Sequence, residues 1–527
     1  MCVSGGVPRV LALASVLACA AACQGNPDAP PPGPTLYLSR VSVSIVPGGS
    51  EAITVVPSDA GVQAPYTVSS SDERVATATV AGAEVTVRGV AVGKCSVTVT
   101  GDAGANRVLP VQVYDHRSMD TGELIITYTD TFEKIVDAPV VVYNDAELLI
   151  FEEVVGATIW RPVPPPGFQA LGSFMVAGAT APARDPNGNK AVMVVQAKEG
   201  SDAIVLTQDY EVVHTVQWSR CARGARVWRP VCPLGWEPMG MVATPGVAGS
   251  PTPPPGYRTP CLRADLTIGG AADTAILQTS GQEVLGFWRV DLADVTSHAG
   301  AYLAPGTFAL AQGTAAPSFD PVIRVLNVRL PILGEAPPQD VVPKVTSFVQ
   351  PQEIETPPRF ARAMLVPCDL VNDQVHDVSW RVANSPFYRL ERHVFYKLLR
   401  YVYNTTSVVQ PYEVQITAGV TTGQTEAFRT STNVTISAEA GIELKSIFSA
   451  KVTTTVSREF GYETQTSVEQ LRQTTDVIPY YAAPGKATAV WQEWNRYVLY
   501  RHEGTGLRAV AAWDFGINGY VTDEYPD

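Results

Sequence analysis

Residues Val434 to Ser457 read VTISAEAGIELKSIFSAKVTTTVS, and their alternation decides the fold of the C-terminal region. Every second residue from Val434 is Val, Ile, Ala, Ala, Ile, Leu, Ser, Phe, Ala, Val, Thr, Val. The residues between are Thr, Ser, Glu, Gly, Glu, Lys, Ile, Ser, Lys, Thr, Thr, Ser. Period-two alternation puts one set on each face of a β structure. Strands usually run about 5–6 residues, so a stretch this long predicts a hairpin. A turn near Glu439-Ala440-Gly441 folds it, and a three-residue loop keeps the alternation in phase. Ile442 to Ser457 forms one arm. The other arm draws on Thr425 to Asn433, where the apolar face is weaker. A transmembrane strand needs about 9–11 residues. Two readings follow: a long hairpin with one face on a soluble core, or a hairpin that enters a membrane. In the second, Val434, Ile436, Ala438, Ala440, Ile442, Leu444, Phe448, Ala450, Val452 and Val456 face lipid, and Ile447 on the polar face departs from the pattern.

The chain has 527 residues, enough for two to four domains, with 42 Gly, 42 Pro and only 17% charged residues. Abundant Val, Thr and Tyr between closely spaced turn residues predict a mainly β protein. A net charge of −13 argues against a nucleic-acid partner.

Arg9 precedes an apolar run, Val10 to Ala22, too short to span a bilayer, so residues 1–23 read as a secretion signal. Ala20-Ala21-Ala22-Cys23 and Leu17-Ala18-Cys19 resemble a bacterial lipobox. That resemblance implies lipid on Cys23, or else on Cys19, with residues 24–35 as a proline-rich tether. An exported chain permits disulfides, and one bridge among Cys221, Cys232 and Cys261 is expected. Cys95, at the start of a strand, reads as a buried thiol.

Residues 36–116 carry short alternating strands, such as VSVSIV (41–46) and CSVTVT (95–100), in the pattern of a β-sandwich. Ser71-Asp72 before Val75-Ala76, and Gly89-Val90-Ala91-Val92-Gly93 before the last strand, resemble a group-two bacterial immunoglobulin-like domain. Such domains serve as spacers or adhesive modules.

Residues 117–315 contain an internal repeat. GATIWRPVPPPGFQALGSFMVAG (156–178) matches GARVWRPVCPLGWEPMGMVATPG (224–246), and a weaker copy begins at Gly286-Phe287-Trp288-Arg289. Three copies of a small β unit predict a pseudo-threefold, β-prism-like body. Trp160, Trp228 and Trp288 read either as core anchors or as sugar or headgroup sites. The turns bearing Phe168, Trp236 and Tyr257 are the better ligand candidates. Trp228-Arg229-Pro230, Pro233-Leu234-Gly235-Trp236, Pro260-Cys261-Leu262-Arg263 and Pro305-Gly306-Thr307-Phe308 resemble the vacuolar protein sorting-associated "sixty-two" family. The resemblance implies a fold and transfers no activity; beyond Gly313 the chain departs from it.

Residues 316–358 are proline-rich and read as a linker that runs back along the body. From Arg359 strand patterning resumes, and 380–407 places Arg389, Arg392, Lys397 and Arg400 among aromatic residues, as on a twisted sheet with snorkelling cations. Over Tyr401 to Glu503 the order is Ser/Thr-rich strand, amphipathic hairpin, Ser/Thr-rich strand, proline-bounded turn and long aromatic strand. This order resembles the aerolysin-like β-pore-forming toxins. It implies an elongated β domain (359–527), a hairpin released on oligomerisation, and an upstream receptor-binding region. An isolated hairpin cannot satisfy its edges in lipid, and only a closed ring of copies can.

The six histidines are scattered, and HExxH, GxSxG and P-loop patterns are missing, so an enzyme is not expected; neither is a metal site or a cofactor. The expected partners are a target membrane lipid or surface glycan, and further copies of the chain. The expected location is the outer membrane or cell surface as a lipoprotein, or the medium after release. The alternative is a non-lytic, cell-surface carbohydrate- or lipid-binding or adhesion lipoprotein whose hairpin never inserts.

Overall fold

The computed structural model describes residues 36–57, 64–141, 153–178, 191–207, 209–216, 225–246, 252–272, 275–278, 284–291, 301–317, 320–328, 331–335, 342–352, 354–432, 434–437, 441–445, 453–455 and 473–526. The chain is mainly β, as its composition predicts, with two α-helices among the described residues, Val378–Asn384 and Thr422–Thr432. Among those residues no helix is long and apolar enough to cross a membrane; strands are a separate matter.

Residues 36–113 form two four-stranded sheets around one core. Alternate residues of the strands (Ile53, Val85, Val87, Val97, Val99, Leu109, Val111) are buried between them. The turn at Asp72 is fixed because its carbonyl accepts from the Val75 and Ala76 amides. Cys95 is half-buried, a free thiol within 3.9 Å of the Ser70 hydroxyl.

The middle region is built of three equivalent units. Each has a three-stranded antiparallel sheet whose central strand carries the repeated Trp: Glu153–Pro162, Ala225–Val231 and Leu285–Arg289. Opposite each Trp the preceding strand has a register shift, after Lys134, Val212 and Ala275. A shared bulge at one position is strong evidence of equivalence, because a bulge re-aims the strand. Near the axis the units meet backbone to backbone. Ser173 N–H donates to Met241 C=O at 2.9 Å, and Met241 N–H donates to Phe308 C=O at 3.1 Å. Gly240 permits this approach, since a Cβ there would lie 2.3 Å from the Thr307 Cβ. The three sheets close on one core that includes Ile159, Met175, Val227, Met241, Phe287 and Phe308. Trp228 and Trp288 are buried and Trp160 packs against the cluster of Phe174, Val176 and Val192, so these rings anchor their units. The arginine after each of the first two tryptophans pairs across the strand, Arg161 with Glu133 and Arg229 with Glu211.

Residues 316–358 are not one linker. Arg324–Val328 is the central strand of the third unit's companion sheet, and Ile332–Glu335 joins the C-terminal sheet. The described part from 342 runs as a strap. Val345 N–H donates to the Asp523 carboxylate at 2.6 Å, Thr356 N–H to Tyr396 C=O, and Leu398 N–H to Ile354 C=O. Val345 thereby completes a small core with Ala487, Ala489 and Trp491.

The C-terminal sheet runs Ile332–Glu335, Arg359–Pro367, Phe387–Tyr403, Ala487–Glu503 and Gly506–Tyr525, all antiparallel. Its three last strands are 17, 17 and 20 residues long, about three times the usual length. Of the cations expected to snorkel among aromatic residues, Lys397 sits on a ring, its Nζ 3.9 Å from the Trp494 centroid; Arg389 is instead buried, and Arg392 donates to the Asn495 side chain at 2.7 Å.

Candidate functional site

The strands Gln410–Ala418 and Thr474–Ala482 form a ribbon of nine unbroken pairs, from Gln410 opposite Ala482 to Ala418 opposite Thr474. Residues 419–473 are strung between its inner ends. The ribbon's outer end is sewn by Asn404, whose side-chain amide donates to Val408 C=O at 2.9 Å and to Ala482 C=O at 2.8 Å. Its inner end rests on the long sheet through Gly419 N–H, which donates to Gly516 C=O, and Gln492, which donates to Thr417 C=O.

The insert does not begin as a strand. Thr425 to Asn433, expected as hairpin arm, lies almost wholly in the helix Thr422–Thr432. Thr421 and Gln424 cap it reciprocally, the Gln424 amide donating to the Thr421 hydroxyl and the Thr421 amide to the Gln424 carbonyl. Phe428 is buried against Trp513, with ring centroids 5.5 Å apart. The alternation is weak here, and one buried aromatic on a capped turn favours the helix.

A hairpin follows. Val434–Ser437 pairs with Gly441–Lys445, setting Val434 opposite Leu444 and Ile436 opposite Ile442 around a three-residue connection. The next strand, Thr453–Thr455, pairs back onto Gly441–Lys445, with Leu444 opposite Thr454. Ile442 to Ser457 is therefore not one continuous arm: the chain reverses between Lys445 and Thr453, giving strands of four, five and three residues. Thr453–Thr455 lies near Ala301–Leu303 of the third middle unit. Ala438, Ala440, Phe448, Ala450, Val452 and Val456 lie outside the described residues, as does Cys23.

The middle-region candidates sit on separate turns. Phe168 follows Gly167, held at φ +86°, and its N–H donates to Pro165 C=O at 3.1 Å. Trp236 occupies the equivalent place in the second unit after Gly235 at φ +92°, beside the Cys232–Cys261 disulfide, the bridge expected among three cysteines. Tyr257 is committed to packing, with the Arg161 guanidinium 5.0 Å from its ring and Arg161 donating to Gly256 C=O. Of the three, Phe168 lines a cleft of about 580 Å³, with Asp115, Arg117, Asp130, Pro165, Gln196 and Val382 among its other walls. Asp130, Arg117 and Gln196 were invisible as a group because up to 79 residues separate them; only the strand pairing of 124–129 with 192–197 gathers them.

The joint between sandwich and long sheet is a buried charge cluster. Arg389 donates to Ser44 C=O at 2.5 Å and pairs with Glu391 at 2.5 Å; Glu391 also contacts His393, and Arg40 pairs with Glu51. Burial would raise the Glu391 carboxyl, but Arg389 and His393 hold it down at about 2. His502 stacks on His116 at 4.6 Å and lies 3.3 Å from the Tyr114 hydroxyl. Burial, with His116 and Arg389 nearby, pushes His502 down to about 3.

Comparison with known proteins divides the chain in the same way. Residues 361–521 match the family model described as insecticidal crystal toxin, P42, and residues 110–327 match that of vacuolar protein sorting-associated protein 62. The second match extends past Gly313, where the sequence resemblance ended. Among solved structures, GNIP1Aa from Chromobacterium piscinae is 14% identical with a TM-score of 0.27, over 37% of this chain and 34% of that one. The chain thus matches about a third of GNIP1Aa's length. Cry35Ab1 is 13% identical with a TM-score of 0.30, over 78% of this chain and 91% of that one. Domains 5–6 of the S-layer protein SbsC are 16% identical with a TM-score of 0.14, over 41% of this chain. No curated protein matches the chain. Region by region, the chain is similar to a crystal-toxin family over residues 361–521 and to a sorting-protein family over residues 110–327.

Proposed function

We propose that this is an exported, aerolysin-like pore-forming protein whose middle region binds a target lipid or glycan and whose insert crosses the target membrane after oligomerisation. The observation that carries this reading is the ribbon that brackets the insert. Continued inward by the same register, it would set Ile436 opposite Val456, Ala440 opposite Val452, Ile442 opposite Ala450 and Leu444 opposite Phe448. The tip would fall at Lys445-Ser446-Ile447. Every apolar residue keeps one face, and Ile447, the departure from the alternation, enters the turn.

The register of the short meander pairs Val434 with Leu444, Ile436 with Ile442 and Leu444 with Thr454, the same alternate positions as in the long hairpin, so conversion is a change of register. Each arm would exceed the about 9–11 residues a bilayer requires. Edges left open by one copy are closed by the next around a ring. Ser, Thr, Glu and Lys would face the lumen. The match of residues 361–521 to a crystal-toxin family supports the toxin part of the reading. The leader pattern supports export, with Cys23 as the lipid site, and the scattered histidines and carboxylates support a non-enzymatic role. Dye release from liposomes by the exported chain, together with heat- and detergent-resistant oligomers, tests the proposal; a monomer that releases nothing, before or after mild proteolysis, contradicts it.

A further inference from the structure

The cleft at Phe168 is walled by the junction as well as by the repeat. One wall is the first unit; the others are Asp115, Arg117 and Ser118 from the segment leaving the sandwich, and Val382 of helix Val378–Asn384. At the second unit the strand pairing puts Leu206 where the first unit has Tyr128. Leu206 is 55% exposed and Tyr128 is 3% exposed. The same pairing puts Arg263 where the first unit has Gln196, and Arg263 is tied up by Asp202 and Asp265. The volume of about 580 Å³ lies within the range of small-ligand sites, about 300–1,000 Å³.

The lining sorts into groups that are used and groups that are not. Asp115 accepts from the Arg117 amide and the Ser118 hydroxyl, and Thr127 and Thr129 donate to the carbonyls of Arg117 and Val163. Arg117, Asp130 and Gln196 line the same space, and their side chains make no hydrogen bond or ion pair to another described residue. Gln196 lies directly against the turn, since a Cβ on Gly167 would stand 3.2 Å from its Nε2. Pro164, Pro165 and the Phe168 ring supply a flat apolar wall beside these groups.

Two carboxylates against one guanidinium leave an excess of negative charge, which disfavours phosphate and anionic headgroups. Donors and acceptors mixed beside an aromatic face suit a neutral polyol with one apolar side. We infer that this cleft holds a neutral hexopyranose of a surface glycan. Its C–H face would lie on Phe168 and its hydroxyls would meet Asp130, Gln196 and Arg117. This rests on the reading that the middle region binds a target surface, and it chooses glycan over lipid.

The test is saturation-transfer NMR of the full chain with glucose, galactose, mannose, N-acetylglucosamine and N-acetylgalactosamine, each with and without inorganic phosphate. At least one sugar should bind, in the range of about 1 mM expected for a shallow single-sugar site. Phe168→Ala and Asp130→Asn should each weaken it at least tenfold. Leu234→Ser, at the fully exposed tip of the second unit's turn, should leave it unchanged, and phosphate should not compete. No sugar signal from the unaltered chain, a signal indifferent to both cleft variants, or displacement by phosphate overturns the inference. Target-cell binding separates the two levels: if it persists in Phe168→Ala while no sugar binds, the cleft is wrong and the surface-binding reading stands.

Discussion

Two stretches of the C-terminal region alternate with period two, and they fold differently. Phe387–Tyr403 is one 17-residue strand; Val434 to Thr455 is divided into strands of four, five and three residues. Phe387–Tyr403 has a long partner on one side, Ala487–Glu503, through fourteen residue pairs, and Arg359–Pro367 on the other. Its large side chains stack across strands, as Phe395 does on Trp494, and such pairs stabilise a sheet by about 0.2–1 kcal/mol each. The insert is rich in Ala, Ser and Thr, and its described strands pair with one another as a short meander. Alternation therefore states which face a residue takes, while strand length depends on a partner of equal length. The insert would find that partner in its own other half once the bracketing ribbon extends.

Deleting Thr435 to Val456 should have the largest effect. Dye release should vanish while binding to target cells persists; release by the deletion variant would remove the insert from the mechanism. Next in size is a pair of cross-links. Ile436→Cys with Ile442→Cys joins residues opposite each other only in the short hairpin, at a spacing a disulfide tolerates. Oxidised, it should cut release about 100-fold, and reductant should restore it. Ala418→Cys with Thr474→Cys joins residues paired in both forms and should leave release intact.

Phe428→Ala frees the helix that covers Trp513. Truncating a buried Phe costs about 3–5 kcal/mol, less at a surface-docked helix, so thermal stability should fall and release should quicken. A slower release would show that the helix assists insertion.

The joint at His502 has a pH signature. Its folded pKa lies below the ordinary value of 6.5, so the unfolded chain binds the extra proton more readily. Its contribution to stability is present above about pH 6.5 and is lost as pH falls from there towards 3. Glu391, held at about 2, adds a loss beginning near 4.5. Urea midpoints at pH 7.5 and 5 should differ, and His502→Gln should narrow the difference. The smallest effect belongs to Lys397→Ala, which removes a cation from the Trp494 face and should cost about 0.5–1 kcal/mol.

Much of this architecture could be read directly. The Trp-Arg-Pro copies mark the three central strands, because a repeated anchor must be buried at a repeated place. The long aromatic strand and the cysteine bridge are legible for similar local reasons. The helix Thr422–Thr432 was missed although Thr421-x-x-Gln424 is a capping signature; the neighbouring alternation was extended over it. The ribbon register, the bulges opposite the tryptophans and the cleft at Phe168 depend on partners tens of residues away, and no local pattern encodes them. The charge cluster around Arg389 is hidden for the same reason, because its partner Ser44 in the sandwich lies more than 300 residues upstream.

In the pore, the proposed insert is one long hairpin with its tip at Lys445-Ser446-Ile447. An environment-sensitive probe placed singly at residues 450 to 453 of the exported chain, read on liposomes during dye release, tests it most directly. Probes at Ala450 and Val452 should enter lipid while those at Lys451 and Thr453 stay in water, in step with release. Probes that all remain in water on membranes where the chain is bound would contradict it and favour a surface protein whose hairpin never inserts.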